Sequence, residues 1–135
     1  MDISESIDAI LQTNDIVSGQ FYHRFFEECP HLAEFFKGKN MSHQATMLTS
    51  AMVLVEMYHR TDAVGLSPYL QLLGKRHDEM GIRPEHFDEW AQSMLGTLKE
   101  FHGDDWNDQL ASQWQDAIQK AVTTMLDGYG SETNN

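Results

Sequence analysis

Apolar residues recur along this chain three and four positions apart, and no long β-branched run alternates with polar residues. That periodicity predicts helices joined by short connections, an all-α fold. Ile3, Ile7, Ile10 and Leu11 mark a short first helix, with Ser4 or Ser6 placed to cap it, and Thr13-Asn14-Asp15 interrupts the pattern,. The next helix runs to about Cys29 and carries two i,i+4 aromatic pairs, Phe21 with Phe25 and Tyr22 with Phe26, on one broad face,. Pro30 turns the chain into a single turn holding Leu32, Phe35 and Phe36, and the polar run Lys37-Gly38-Lys39-Asn40 follows,. Ser42 is placed to cap a helix whose inward stripe reads Gln44, Leu48, Ala51, Met52 and Val55,. Gln44 is the polar member of that stripe, either a boundary residue or a donor aimed into a pocket.

A loop from Arg60 to Ser67 leads into a short helix with Leu70, Leu73, His77 and Met80 on one stripe, which points His77 at the core,. Gly81 is a left-handed stop, and Pro84, preceded by extended-biased Arg83, starts another helix,. Phe87, Trp90, Ala91, Met94, Leu98 and Phe101 line that helix up to Gly103,. The last stripe is Leu110, Trp114, Ala117, Ile118, Ala121, Val122 and Met125, stopped by Gly128-Tyr129-Gly130,. Residues 1–130 therefore read as one domain and the polar tail 131–135 as disordered.

A length of 135 residues suits one sizeable core, and 21 acidic against 9 basic residues give a formal net charge of −12,. That excess opposes nucleic-acid phosphates and anionic membrane surfaces. No apolar run reaches the roughly 20 residues of a membrane span, and the N-terminus lacks a signal peptide's basic and apolar regions, so a cytoplasmic location is expected. The single cysteine, Cys29, excludes an intramolecular disulfide and any zinc site made of several thiolates,. With Glu27 and Glu28 beside it, it reads as a structural thiol.

Phosphate loops, Gly-x-Ser-x-Gly elbows, His-Glu-x-x-His pairs and repeated Glu-x-x-His pairs are all absent from the sequence,. Of seven histidines, His77 is the one on a strongly apolar stripe well inside its helix. It reads either as a buried histidine satisfied by a carbonyl or as a lone metal ligand. A lone histidine suits haem, whose porphyrin supplies four nitrogens and needs one more from the protein.

Taken together, Phe21-Tyr22-His23-Arg24-Phe25-Phe26, Pro30-His31-Leu32-Ala33-Glu34-Phe35-Phe36, His43-Gln44 with Leu48, Pro68 nine residues before His77, and Gly81-Ile82-Arg83-Pro84-Glu85-His86-Phe87 resemble a globin. Within that superfamily the chain is most similar to bacterial haemoglobins and the globin domain of flavohaemoglobins. The resemblance runs from about Ile7 to Met125, with a short deletion near residues 37 to 43. It implies a globin fold of about six to eight helices enclosing a haem pocket, with haem b as cofactor.

By the same resemblance, His77 is the proximal iron ligand, Phe36 packs on the porphyrin, Tyr22 and Gln44 are the distal polar residues, and Leu48 stands over the iron. Leu73 would offer its carbonyl to the imidazole nitrogen facing away from iron. Arg76 and Arg83 either meet the propionates or are simply exposed arginines, and Ile82 and Phe87 are placed for the pocket wall. His43, next to Gln44, is a candidate sixth ligand to the iron, since a one-residue slip in the placement of that helix exchanges the two roles. The implied function is reversible binding of dioxygen, nitric oxide or carbon monoxide by a monomer or homodimer. The alternatives are nitric oxide dioxygenation fed by a separate reductase, and a haem-based or haem-free sensor module. One departure stands out: flavohaemoglobins reinforce the proximal histidine with a tyrosine and a glutamate. Phe87 takes the first position, and the last helix has no glutamate between Asp105 and Gly130.

Overall fold

The computed structural model describes residues 1–130. They form six α-helices: α1 (Ile3–Gln12), α2 (Ile16–Glu28), α3 (Met41–Thr61), α4 (Leu66–Glu79), α5 (Pro84–His102) and α6 (Asp108–Leu126). A 3-10 segment, Pro30–Phe36, joins α2 to α3, and a shorter one, Gly103–Asp105, joins α5 to α6. The all-α expectation holds, with no strand among the described residues.

Several local expectations need correction. Asp2, not Ser4 or Ser6, caps α1: its carboxylate accepts Glu5 N–H at 2.9 Å while Glu5 reaches back to Asp2 N–H,. Both serines are engaged in tertiary contacts, Ser4 on Glu56 and Ser6 in the core. Likewise Asn40 rather than Ser42 caps α3, accepting His43 N–H at 3.1 Å. The single turn after Pro30 is a seven-residue 3-10 segment. The loop expected over 60–67 shrinks to 62–65, because α3 runs on to Thr61 and closes with Asp62 in the left-handed region (φ 52°). Lys120 pairs with Asp62 and donates to Tyr58 O, so the α3 terminus is held by α6.

The core is built on α6. Trp114, Leu110 and Ala117 have no exposed surface, and they join Phe21, Met94, Leu98, Ile10 and Met52 from four other helices. Each such large side chain contributes about 1.5–3 kcal/mol by leaving water. One polar knot lies inside it. Trp114 Nε1–H donates to Ser6 Oγ at 2.9 Å, and Ser6 Oγ lies 2.6 Å from His102 Nε2, tying α1, α5 and α6 together,. His102 is thus a buried histidine that the helical stripe of α5 carries one residue past Phe101. Its ring stacks on Trp106 at 6.2 Å, and burial pushes its pKa below the usual 6.5,. A second, smaller cluster of Tyr58, Leu70, Phe87 and Met125 joins α3, α4, α5 and α6. Partly buried Val122 packs against both clusters.

Candidate functional site

The sequence-predicted residues fall into two walls, one beside each core cluster. The first comes from α2, the 3-10 segment and α3. Two turns of aromatic spacing on α2 bring Tyr22 against Phe21 (5.2 Å between centroids) and Phe26 (5.7 Å), while the segment after Pro30 delivers Phe36 edge-on to Tyr22 at 5.3 Å,. Leu48, buried, and Gln44, half-buried, stand one turn apart on α3. His43, its neighbour, is exposed.

Tyr22 is half-buried, and burial raises its pKa from 10.0 to about 12, so the phenol keeps its proton at any ordinary pH,. Its hydroxyl makes no hydrogen bond to a described residue, and neither does the Gln44 amide. This wall therefore carries a phenolic O–H and an amide N–H that the protein itself leaves unengaged.

On the second wall, polar ends are largely engaged. His77 lies near the end of α4, and its Nδ1 is 2.7 Å from Leu73 O, one turn earlier. A carbonyl can only accept, so Nδ1 carries the hydrogen and Nε2 carries the lone pair. The imidazole is half-buried and 5.9 Å from the Phe87 ring. Phe87 in turn meets the Tyr129 ring edge-on at 6.1 Å. Tyr129 O–H donates to Ile82 O at 2.7 Å, fastening the α4–α5 corner to the chain beyond α6. Burial first, and then the nearby Asp78 carboxylate, raise the Tyr129 pKa to about 12. Gly130 N–H closes the same region by donating to Asp78 Oδ2 at 2.9 Å.

Tyr129 is absent from the sequence-level site, where Gly128-Tyr129-Gly130 reads only as a helix stop. The signal was present: Tyr129 lies four residues after Met125 and continues the apolar stripe of α6,. Other expectations shift. Met80, assigned to the His77 stripe, is half exposed, because α4 ends at Glu79. His77 is half-buried rather than fully in the core, and His102 is the most enclosed imidazole described above. Arg76 is exposed, and Arg83 pairs with Glu85 at 2.6 Å.

The residues present fit haem. One imidazole offers a lone-pair nitrogen fixed by a backbone carbonyl,. Phe36 and Leu48 at the first core cluster, and Leu73, Ile82 and Phe87 at the second, are of the apolar kind that a flat apolar macrocycle requires,.

Comparison with known proteins bears on the family and the fold. Residues 19–125 match the Globin family. The chain is 26% identical over 125 residues to a flavohemoprotein of Chromobacterium violaceum, covering 92% of this chain and 31% of that protein. It is 24% identical over 116 residues to one of Bacillus subtilis, covering 85% and 29%. The chain thus spans less than a third of the length of these relatives. Among solved structures, it is similar to a Pseudomonas aeruginosa PAO1 protein described as structurally highly homologous to a human hemoglobin. That match has a TM-score of 0.76 and 24% identity, and it covers 93% of this chain and 99% of the other. With the matched segment covering most of its length and the helices assembled as in that neighbour, the chain belongs to the globin family.

Proposed function

We propose that this protein binds haem b through His77 Nε2 and reversibly binds a diatomic gas, dioxygen, nitric oxide or carbon monoxide, beside Tyr22 and Gln44. The observation that carries the reading is the contrast in hydrogen bonding. Leu73 O engages His77 Nδ1–H, which leaves Nε2 as the ligating atom, while the Tyr22 hydroxyl stays protonated and unengaged. Haem supplies the redox-active iron to which the gas binds. His77 Nε2 would hold that iron, and Leu73 O orients the ring. Tyr22 O–H and Gln44 N–H would donate to a gas ligand that carries partial negative charge, each bond contributing about 1–3 kcal/mol. Phe36, Leu48, Ile82 and Phe87 exclude water, and Arg76 serves a propionate from the exposed face of α4.

A second reading is nitric oxide dioxygenation with electrons from a separate reductase, favoured by the flavohemoprotein relatives, which are more than three times as long as the matched segment. Against it, the partner of His77 Nδ1 is a neutral carbonyl and the neighbouring ring is Phe87, so among the described residues no carboxylate is bonded to the imidazole to enrich it with electrons,. A sensor module is the third reading, and it lacks a supporting contact. We place the protein in the cytoplasm, as a monomer or homodimer, with no nucleic-acid or membrane partner. No helix among the described residues is long and apolar enough to cross a membrane.

Titration with haem tests the ligand. The wild-type chain is expected to take up one haem and to give the spectra of an imidazole-ligated ferrous iron and its carbon monoxide complex. His77→Ala is expected to lose tight haem retention. Equal haem content and an unchanged ferrous spectrum in His77→Ala would refute the assignment.

A further inference from the structure

The helix that carries His77 is seated on the end of α6 by close backbone approach as well as by side chains. A methyl group placed on Gly74 would overlap the carbonyl oxygen of Met125, and one placed on Gly128 would overlap the carbonyl oxygen of Gln71. The two contacts are reciprocal. On each segment a carbonyl stands three residues before a glycine, Gln71 before Gly74 and Met125 before Gly128, and each glycine receives the other segment's carbonyl. Both glycines are buried. Only glycine allows this approach, which matches the Cα–H···O contacts that recur where helices cross closely. Gly128 has no need of a left-handed backbone: the positive-φ glycines are Gly38, Gly81, Gly103 and Gly130. Its identity therefore answers to proximity.

This interlock sits one turn before His77. Beyond it the same two segments are joined again, by Gly130 N–H on Asp78 and by Tyr129 O–H on Ile82 O. The imidazole is fixed to α4 by Leu73 O, so its position follows the backbone of α4. Phe87, whose ring lies 5.9 Å from the imidazole, belongs to a different helix, α5. The distance of α4 from α6 thus decides where the imidazole stands relative to the rest of its wall. Metal–ligand distances tolerate only about 0.2 Å, and a functional constellation about 0.5 Å, far less than the displacement a methyl at Gly74 would force.

We propose that Gly74 and Gly128 are positioning residues that set the height and tilt of the His77 imidazole at the iron, an inference that rests on His77 being the haem ligand. The test is resonance Raman of the reduced, haem-loaded full chain for the iron–imidazole stretching band, with hydrogen exchange of the apoprotein alongside. Wild type is expected to show a band that disappears in His77→Ala; a wild-type chain without that band refutes the ligand reading itself. Given the band, Gly74→Ala and Gly128→Ala are expected to shift it and to speed deuterium uptake by the amides of α4. Gly19→Ala, where a methyl meets nothing within 4 Å, should do neither. Variants that bind haem with an unmoved band overturn the proposal, even if their melting temperature falls. Should both glycine variants fail to fold, Asp78→Ala decides. It loosens the same joint by removing the Gly130 contact without adding volume, and it should shift the band; an unmoved band then overturns the proposal.

Discussion

Two tyrosines, one on each wall of the candidate site, are both held at a pKa of about 12 by burial, yet their hydroxyls end differently. Tyr129 O–H donates to Ile82 O, whereas Tyr22 O–H finds no partner among the described residues. The contrast extends to their neighbours. On the His77 side, Leu73 O, Ile82 O and Asp78 Oδ2 each engage a donor, so this wall is held by the protein's own bonds. On the Tyr22 side, aromatic packing against Phe21, Phe26 and Phe36 fixes the ring while its polar tip stays available. An engaged hydroxyl contributes to the fold, and an unengaged one is available to a ligand.

Removing the engaged hydroxyl should therefore register as lost stability. Tyr129→Phe leaves Ile82 O without its donor and is expected to lower the unfolding free energy by about 1–2 kcal/mol in chemical denaturation. It should change gas dissociation less than loss of the Tyr22 hydroxyl does; the reverse order would erase the distinction between the walls.

A smaller effect is expected from the polar knot in the core, which belongs to neither wall. Burial holds the His102 pKa below 6.5, so between the folded and unfolded values the unfolded chain binds more protons,. Stability from this group is full above about pH 6.5 and is lost as pH falls through the lowered folded value. Thermal melts should show a midpoint that drops on acidification, with a shallower slope in His102→Gln. Equal slopes would remove His102 from the account. Smallest is the cap of α1: Asp2→Ala should cost about 1 kcal/mol in the same denaturation experiment, with gas binding unchanged.

Helical periodicity made most of this molecule legible from its residues. The stripes of α2, α5 and α6 are the buried faces of those helices because burial repeats with the turn,. The Leu73 carbonyl lies one turn before His77, so helix geometry alone puts it within reach of the ring. The misses share a physical origin. Ser4 and Ser6 have the side chain of a cap, yet Glu56, His102 and Trp114 reach them from 50 to 110 residues away, and no local pattern records that. Met80 follows the stripe in register but falls after the last turn of α4, where the register no longer applies. Gly74, Gly128 and Tyr129 were hidden differently. A glycine in a helix and a Gly-Tyr-Gly stop have local meanings that suffice by themselves, and only the crossing of α4 with the end of α6 gives them a second one.

The central claim is that the protein leaves the Tyr22 hydroxyl unengaged for a ligand bound at the iron held by His77. Stopped-flow dissociation of dioxygen from the ferrous protein tests it most directly, comparing wild type with Tyr22→Phe. Loss of one donated bond of about 1.4 kcal/mol should speed dissociation about tenfold. A wild-type rate in Tyr22→Phe, with haem content and helicity preserved, would contradict it.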